Sequence, residues 1–210
     1  QRIVAYINSL DRGNSPICNT IEKEAIEDDV PIIRKEMGNL LKVLLELKQP
    51  QSILEVGTAV GYSSILMSEN MPENCRITTI ENYEKRIPVA KNNFKRAGKE
   101  EVITLLEGDA MDILKELDGT YDFIFMDAAK GQYINFLPEL LRLMPAGGLL
   151  ISDNVLQEGD IVESRYGVTR RNRTIHTRMR EYIYTLTHAE QLETSIVPIG
   201  DGITLSVKKG

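Results

Sequence analysis

From residue 52 to residue 152 the sequence alternates short apolar runs with longer mixed stretches, and this alternation constrains the fold more than any other feature. Apolar runs between turn residues are typical of buried parallel strands, and mixed stretches with spaced apolar residues are typical of helices. The predicted strands are 52–56, 76–81, 102–107, 121–126 and 148–152. The predicted helices between them are 62–70, 84–97, a short one near 110–116, and 132–144. Five such repeats predict an α/β protein with a mostly parallel, doubly wound sheet.

The two ends of the chain depart from this alternation. Residues 1 to about 48 are predicted to be helical, because apolar side chains recur at a helical spacing from Met37 until Gln49-Pro50 ends the pattern. After a predicted helix near 172–188, two apolar runs flank Gly200-Asp201-Gly202, which predicts a C-terminal antiparallel hairpin. We therefore expect a single domain over 1–210, with a helical N-terminal extension over 1–50 and an α/β core over 51–210.

Composition excludes several classes of protein. The chain has 210 residues, of which 42% are hydrophobic and 27% are charged, and this is ordinary for one globular domain. No apolar run approaches the roughly 20 residues of a membrane span, and Gln1 to Leu10 does not resemble a signal peptide. Cys18 and Cys75 lack a metal-ligand spacing and are expected to be free thiols. These features predict a cytoplasmic protein without a membrane partner, and the net charge of −6 predicts no general attraction to nucleic acid.

Polar residues follow the last two predicted parallel strands. Asp127 follows the run that ends at Met126, and Asp153-Asn154 follows the run that ends at Ser152. Open α/β sheets bind ligands at the carboxyl ends of their strands, so two carboxylates and an amide oxygen could meet there. Such oxygens suit Mg²⁺ or Ca²⁺. The alternative is that each acid only caps the helix or turn that follows it.

The turn after the first predicted strand has the features of a cofactor site. Gly57 and Gly61 permit a tight turn and a close approach of a ligand, and Ser63 lies where a helix begins. The spacing differs from the Gly-x-Gly-x-x-Gly dinucleotide pattern, and Glu55 would repel a pyrophosphate. These features favour S-adenosylmethionine over NAD. The alternative is a turn whose glycines serve only packing.

The next two predicted strands also end in polar residues. Glu81 is placed to accept hydrogen bonds from ribose hydroxyls, and Asp109 or the Ala110 amide is placed to meet an adenine edge. Each residue alone is a weak signal, because acids also start helices. Four successive strand ends that agree on one ligand make the prediction stronger than any single residue does.

These motifs resemble those of the cation-dependent class I O-methyltransferases, the group of the catechol and caffeoyl-CoA O-methyltransferases. The resemblance covers about residues 30–155 and implies a Rossmann-like class I methyltransferase sheet, S-adenosylmethionine and a divalent cation such as Mg²⁺. It implies Asp127, Asp153 and Asn154 as metal ligands and Lys130 as the base. The cofactor residues that it implies are Ile33, Glu55, Gly57, Ser63, Glu81, Ala110 and Asp127. Relatives are commonly dimers, so it also implies a homodimer.

A basic segment lies between Arg165 and Arg180, where six arginines occur without an acid. The stretch from Tyr166 to Tyr182 resembles that of the bacterial tRNA 5-hydroxyuridine methyltransferases, which implies a tRNA partner and a wobble-position acceptor. Arginine also suits phosphate recognition, through its planar and bidentate donors. The residues predicted to contact this substrate are Arg165, Arg170, Arg171, Arg173 and His176. The segment could instead pair with acids of this chain or of another subunit, or hold a coenzyme A tail.

The reaction predicted from these residues is transfer of a methyl group to an oxygen, with Asp127 and Lys130 at the reacting hydroxyl. Lys130 lies three residues after Asp127 and could accept the hydroxyl proton. 5-Hydroxyuridine carries two neighbouring oxygens, as a catechol does, so the predicted site suits either acceptor. We keep three alternatives to a tRNA enzyme: a small-molecule catechol or caffeoyl-CoA-type enzyme, a nicotinamide-dependent oxidoreductase, and a non-catalytic RNA-binding module.

Overall fold

The computed structural model of the protein describes residues 2–210, and its centre is one seven-stranded sheet. The strands are β1 Ser52–Val56, β2 Arg76–Glu81, β3 Ile103–Glu107, β4 Phe123–Met126, β5 Leu149–Ser152, β6 Leu192–Val197 and β7 Ile203–Lys208. Their order in the sheet is β3-β2-β1-β4-β5-β7-β6. The first five strands are parallel, and β7 pairs antiparallel with both β5 and β6. This confirms the predicted mostly parallel sheet with an antiparallel C-terminal hairpin.

Helices cover both faces of the sheet. They are α1 Arg2–Ser9, α2 Pro16–Glu27, α3 Lys35–Lys48, α4 Tyr62–Asn70, α5 Ile87–Arg96, α6 Ala110–Glu116, α7 Tyr133–Leu143 and α8 Arg173–His188. Two 3₁₀ segments, Lys130–Gln132 and Gln157–Val162, follow β4 and β5 respectively. Among residues 2–210, no helix combines the length and the apolar character that a membrane crossing requires.

The central strands are buried on both faces, as continuous apolar runs predict. Phe123 and Phe125 of β4 face the core that contains α3 and α4, whereas Ile124 and Met126 face the core that contains α7 and α8. Three fully buried residues of α3, Met37, Leu41 and Leu45, belong to the first of these cores. Helix α3 therefore packs on the sheet, and the division of the chain at residue 50 stays a prediction.

The strand order places the polar strand ends at one edge. Connections leave β1 towards β2 on one side, and β4 lies on the other side, so a crevice opens above β1 and β4. The hairpin adds a segment to this edge, because β7 starts beside the end of β5, where Thr204 pairs with Ser152. The loop from Pro198 to Gly202 consequently lies next to Asp153.

Candidate active site

A cleft of about 530 Å³ lies above the carboxyl ends of the parallel strands. Segments from seven parts of the chain line it: residues 31–34, the turn after β1, the end of β2, the end of β3, the residues after β4, the residues after β5, and the tip of the hairpin. Most of the predicted site residues line it. They are Ile33, Gly57, Ser63, Glu81, Asp109, Ala110, Asp127, Lys130, Asp153 and Asn154.

The turn after β1 can be formed only with glycine at position 57. Gly57 has a φ of +105°, and a Cβ there would lie 2.1 Å from the carbonyl oxygen of Asp127. The Gly57 and Thr58 amides both donate to the carbonyl of Ile80, at 3.1 and 3.2 Å. The absence of a side chain therefore allows the β1 turn to lie directly against the end of β4.

Glu55 does not line the cleft, which corrects the prediction that it contacts the ligand directly. Its carboxylate is fully buried beneath the turn and accepts hydrogen bonds from Ser63, Ser64 and Thr79, the last at 2.6 Å. Burial raises the pKa of Glu55 to about 7, although the three hydroxyl donors act in the opposite direction. Glu55 therefore holds the start of α4, and Ser63 forms the adjoining cleft wall.

Glu81 and Asp109 line the cleft and also organise its backbone. Glu81 accepts from the amides of Ala59 at 2.7 Å and of Tyr83 at 2.9 Å, so it joins the β1 turn to the end of β2. Asp109 is the N-cap of α6 and accepts from the Met111 amide at 2.9 Å. The alternative that strand-end acids cap helices therefore applies to Asp109.

The structure brings Asp127, Asp153 and Asn154 together at the ends of β4 and β5. The Nδ2 of Asn154 donates to Oδ1 of Asp127 at 3.0 Å, and the Asn154 amide donates to Oδ1 of Asp153 at 2.7 Å. Asp153 is only 6% exposed. Neither acid caps a helix with its side chain, so the capping alternative does not account for them.

The electrostatics of these two acids suit a cation. Burial raises the pKa of Asp127, and burial followed by the charge of Asp127 raises the pKa of Asp153 to about 7. Two desolvated carboxylates that repel each other are stabilised when a hard cation binds between them. Within residues 2–210, no group of three His, Cys, Asp or Glu side chains could hold a metal. The third ligand would be the Asn154 amide, which presents its oxygen after a half-turn of the side chain.

Lys130 is held by a residue that the sequence identified only as part of a turn. Its Nζ donates to Oδ2 of Asp201 at 3.2 Å, and Asp201 lies at the tip of the hairpin, 71 positions along the chain. Burial outweighs the opposite effect of the Lys130 charge on the pKa values of Asp127 and Asp153, so both stay raised. The Gly-Asp-Gly pattern predicted the hairpin correctly, but it did not predict a contact with Lys130.

Two arginines that were not predicted from the sequence also line the cleft. Arg34 precedes α3, and Arg86 lies before α5, with its guanidinium 5.2 Å from the centre of the Tyr83 ring. Each is a single arginine in an otherwise ordinary segment, so no local signal distinguishes it. They add positive charge at the rim of a cleft whose floor is acidic.

The basic segment lies outside the cleft. Arg165, Arg170 and Arg171 are exposed and are absent from the cleft lining. Arg173 also lies outside the lining, with its guanidinium 5.6 Å from the centre of the Tyr166 ring. His176 is only 2% exposed, and its Nε2 is 3.1 Å from the Glu163 carbonyl, so the prediction that His176 contacts substrate is wrong. Its position on the inner face of α8 explains the error.

Known proteins are similar to this chain in sequence and in fold. A family described as O-methyltransferase matches residues 12–209. Caffeoyl-CoA O-methyltransferase 2 of Populus trichocarpa is 34% identical over 182 residues, which cover 80% of this chain and 71% of that protein. This chain belongs to the O-methyltransferase family.

Two further comparisons agree with the family assignment. Catechol O-methyltransferase of Niastella koreensis is 37% identical over 135 residues, which cover 62% of this chain and 61% of that protein. The structure of the O-methyltransferase TomG from Streptomyces achromogenes, in complex with S-adenosylmethionine, has a TM-score of 0.88 and 25% identity. It covers 100% of this chain and 97% of that one.

Family membership confirms the predicted class of enzyme, a methyltransferase of the caffeoyl-CoA and catechol type that transfers a methyl group from S-adenosylmethionine to an oxygen. The oxidoreductase and the non-catalytic RNA-binding module are therefore wrong alternatives. The homodimer, the Mg²⁺ and the tRNA partner stay predictions. The individual roles of the cleft residues are likewise proposals, because the comparisons identify a family and not a ligand contact.

Proposed function

We propose that this O-methyltransferase methylates one of two neighbouring oxygens on a small catechol-type aromatic acceptor. The observation that carries the proposal is the grouping of Asp127, Asp153, Asn154 and Lys130 beside the Gly57 turn. Paired oxygen ligands next to a cationic side chain suit a chelating acceptor better than a single hydroxyl. The caffeoyl-CoA and catechol relatives support the same class of acceptor.

The cofactor would occupy the part of the cleft between the Gly57 turn and the start of α6. Ser63 would hold the amino-acid end, and the backbone of Gly57 would lie against the sulfonium. Glu81 accepts three backbone hydrogen bonds and retains capacity to accept another from a ribose hydroxyl. Asp109 and Ala110 would meet the adenine, and Ile33 would supply apolar contact from the opposite wall.

The acceptor would lie between the methyl donor and Lys130. A divalent cation held by Asp127, Asp153 and Asn154 would lower the pKa of the acceptor hydroxyl and orient its neighbour. Lys130 would first lose a proton to solvent. As a neutral amine it would take the hydroxyl proton and become the ammonium again, and the oxygen would attack the methyl carbon in line. The new carbon–oxygen bond forms as the carbon–sulfur bond breaks, and S-adenosylhomocysteine leaves.

The test is methyl transfer from labelled S-adenosylmethionine to caffeic acid, with a monohydroxylated analogue as the matched acceptor. We expect methylation of caffeic acid only, lost in chelator and reduced at least 100-fold in Asp153→Asn. The surface variant Asp112→Asn serves as the control for loss of a carboxylate. Equal methylation of the monohydroxylated analogue, or full activity in chelator, would contradict the proposal.

A second candidate acceptor is 5-hydroxyuridine at the wobble position of tRNA. The observation that favours it is the exposure of Arg165, Arg170 and Arg171, which leaves three guanidinium groups available to phosphates. The 5-hydroxyl and 4-carbonyl of this base are neighbouring oxygens and would fit the same ligand set. Mass spectrometry of nucleosides from hydroxyuridine-containing tRNA, after incubation with S-adenosylmethionine, tests it. If 5-methoxyuridine forms and caffeic acid is not methylated, tRNA and not a small aromatic compound is the acceptor.

A further inference from the structure

We infer that Asp201 is a positioning residue, which fixes the Nζ of Lys130 at the acceptor end of the cleft. The inference rests on the proposed function for the role of Lys130, but its structural part stands on contacts alone. The Oδ2 of Asp201 accepts from Lys130 at 3.2 Å, and both residues line the cleft. Asp201 reaches no proposed cofactor contact, so it would act on the reaction through Lys130.

The two partners differ in how firmly they are held. Asp201 is 8% exposed, and its other oxygen accepts from the backbone amide of Glu158. The side chain of Lys130 is 37% exposed, and its Nζ has no other hydrogen-bond partner among residues 2–210. A fixed carboxylate therefore restrains a long and otherwise mobile ammonium, which is the arrangement expected of a positioning contact.

The backbone around Asp201 is tied to the segment that follows the proposed metal ligands. The Val155 amide donates to the carbonyl of Gly202, and the Leu156 amide donates to the carbonyl of Asp201, both at 2.9 Å. Gly202 has a φ of +78°, and a Cβ there would lie 2.1 Å from Cγ of Leu156. The hairpin tip and the chain after Asn154 therefore form one unit, which holds Asp201 in register with Asp153 and Asn154.

The charges around Lys130 explain why a separate anchor matters. Asp127 and Asp153 line the same cleft as Lys130. An unanchored ammonium would be drawn to these two carboxylates and would compete with a cation for them. Asp201 supplies a further carboxylate, at the hairpin tip, that holds the ammonium in a direct hydrogen bond.

The experiment compares Asp201→Asn, Lys130→Met and the double variant. Asp201→Asn retains an oxygen for the Glu158 amide and removes the charge that holds Lys130. We expect at least a tenfold fall in kcat, with KM for S-adenosylmethionine within twofold of wild type. The double variant should be no slower than Lys130→Met, because Asp201 acts through Lys130. A multiplicative loss in the double variant would overturn the inference, as would a wild-type kcat for Asp201→Asn.

Controls separate positioning from folding and from the choice of acceptor. Glu193→Gln removes a carboxylate from the exposed pair with Lys209 on the same hairpin, and its kcat should match wild type. If Asp201→Asn does not fold, Asp201→Ser replaces it in the same comparison.

The second readout is NMR of the Lys130 side-chain ammonium without acceptor: a signal protected from solvent exchange in wild type should disappear in Asp201→Asn. The same Lys130 signal in Asp201→Asn as in wild type would overturn the inference. A protected signal in a wild-type protein that methylates neither caffeic acid nor hydroxyuridine-containing tRNA would overturn only the proposed function.

Discussion

The substitution Gly57→Ala tests whether the close approach of the β1 turn to the end of β4 forms the cofactor site. A Cβ at position 57 would lie 2.1 Å from the Asp127 carbonyl oxygen, and Cβ contacts essentially never fall below 3.0 Å. The two backbones would have to separate by about 0.9 Å, the difference between these distances. The φ of +105° adds strain of about 1–3 kcal/mol for a residue with a side chain.

Gly119→Ala is the matched control. Gly119 has a φ of +98°, but a Cβ there would meet no atom within 4 Å. It therefore carries a similar backbone strain without the clash. We expect Gly119→Ala to lower the melting temperature by about 2–4 °C per kcal/mol of strain and to leave cofactor affinity unchanged.

Gly57→Ala should lose more stability than the control and should bind S-adenosylmethionine at least tenfold more weakly. A displacement near 1 Å also costs on the order of 100-fold in rate when it misplaces reacting groups. Thermal unfolding without ligand measures the first effect, and calorimetric titration with S-adenosylmethionine measures the second. Equal melting temperatures for the two variants, together with wild-type affinity in Gly57→Ala, would refute the reasoning.

Three further predictions concern charge. The pKa of Glu55 is raised from 4.5 to about 7, so its stabilising effect is complete below pH 4.5 and is lost as pH rises through 7. The free energy of unfolding of wild type, measured by urea titration, should fall by roughly 2.5 kcal/mol between pH 5 and pH 8, and that of Glu55→Gln should fall less; parallel dependences on pH would contradict this. Asp153→Asn should raise the melting temperature in chelator, because it removes a buried repulsion, and should abolish the further rise on adding Mg²⁺; a wild-type response to Mg²⁺ would argue against the metal site. Neutralising Arg170 and Arg171 together should weaken tRNA binding and flatten its salt dependence, with Lys23→Gln as the surface control; unchanged affinity would favour a small acceptor.

The strands of the sheet were predictable because their apolar runs are buried on both faces. The predicted strand 121–126 began two residues early, and the reason is local. Asp122 accepts hydrogen bonds from the Gln51 and Ser52 amides, so it joins the start of β4 to that of β1 and lies outside the ladder. A single sequence does not distinguish such a connecting acid from the first residue of a strand.

The basic segment shows where a local pattern misleads. Its arginines are neighbours in sequence, but only Arg173, Arg178 and Arg180 lie on α8, and the helix turns them in different directions. Arg178 donates to the carbonyl of Gly131 and Arg180 to that of Glu163, both at 3.1 Å, so part of the segment supports the turn that carries Lys130. Counting charges along the chain therefore overestimates the surface available to a partner.

The sequence by itself determined the chemistry at the strand ends. Asp127, Asp153 and Asn154 follow apolar runs that predict buried parallel strands, and parallel pairing of these strands brings the three residues together. Only the tertiary structure decided that Glu55 lies beneath the cleft, that His176 is buried, and that Asp201 holds Lys130. The physical reason is that strand ends follow from periodicity within a few residues. Side-chain depth and ion-pair partners depend instead on segments that meet only after the sheet and its hairpin have packed.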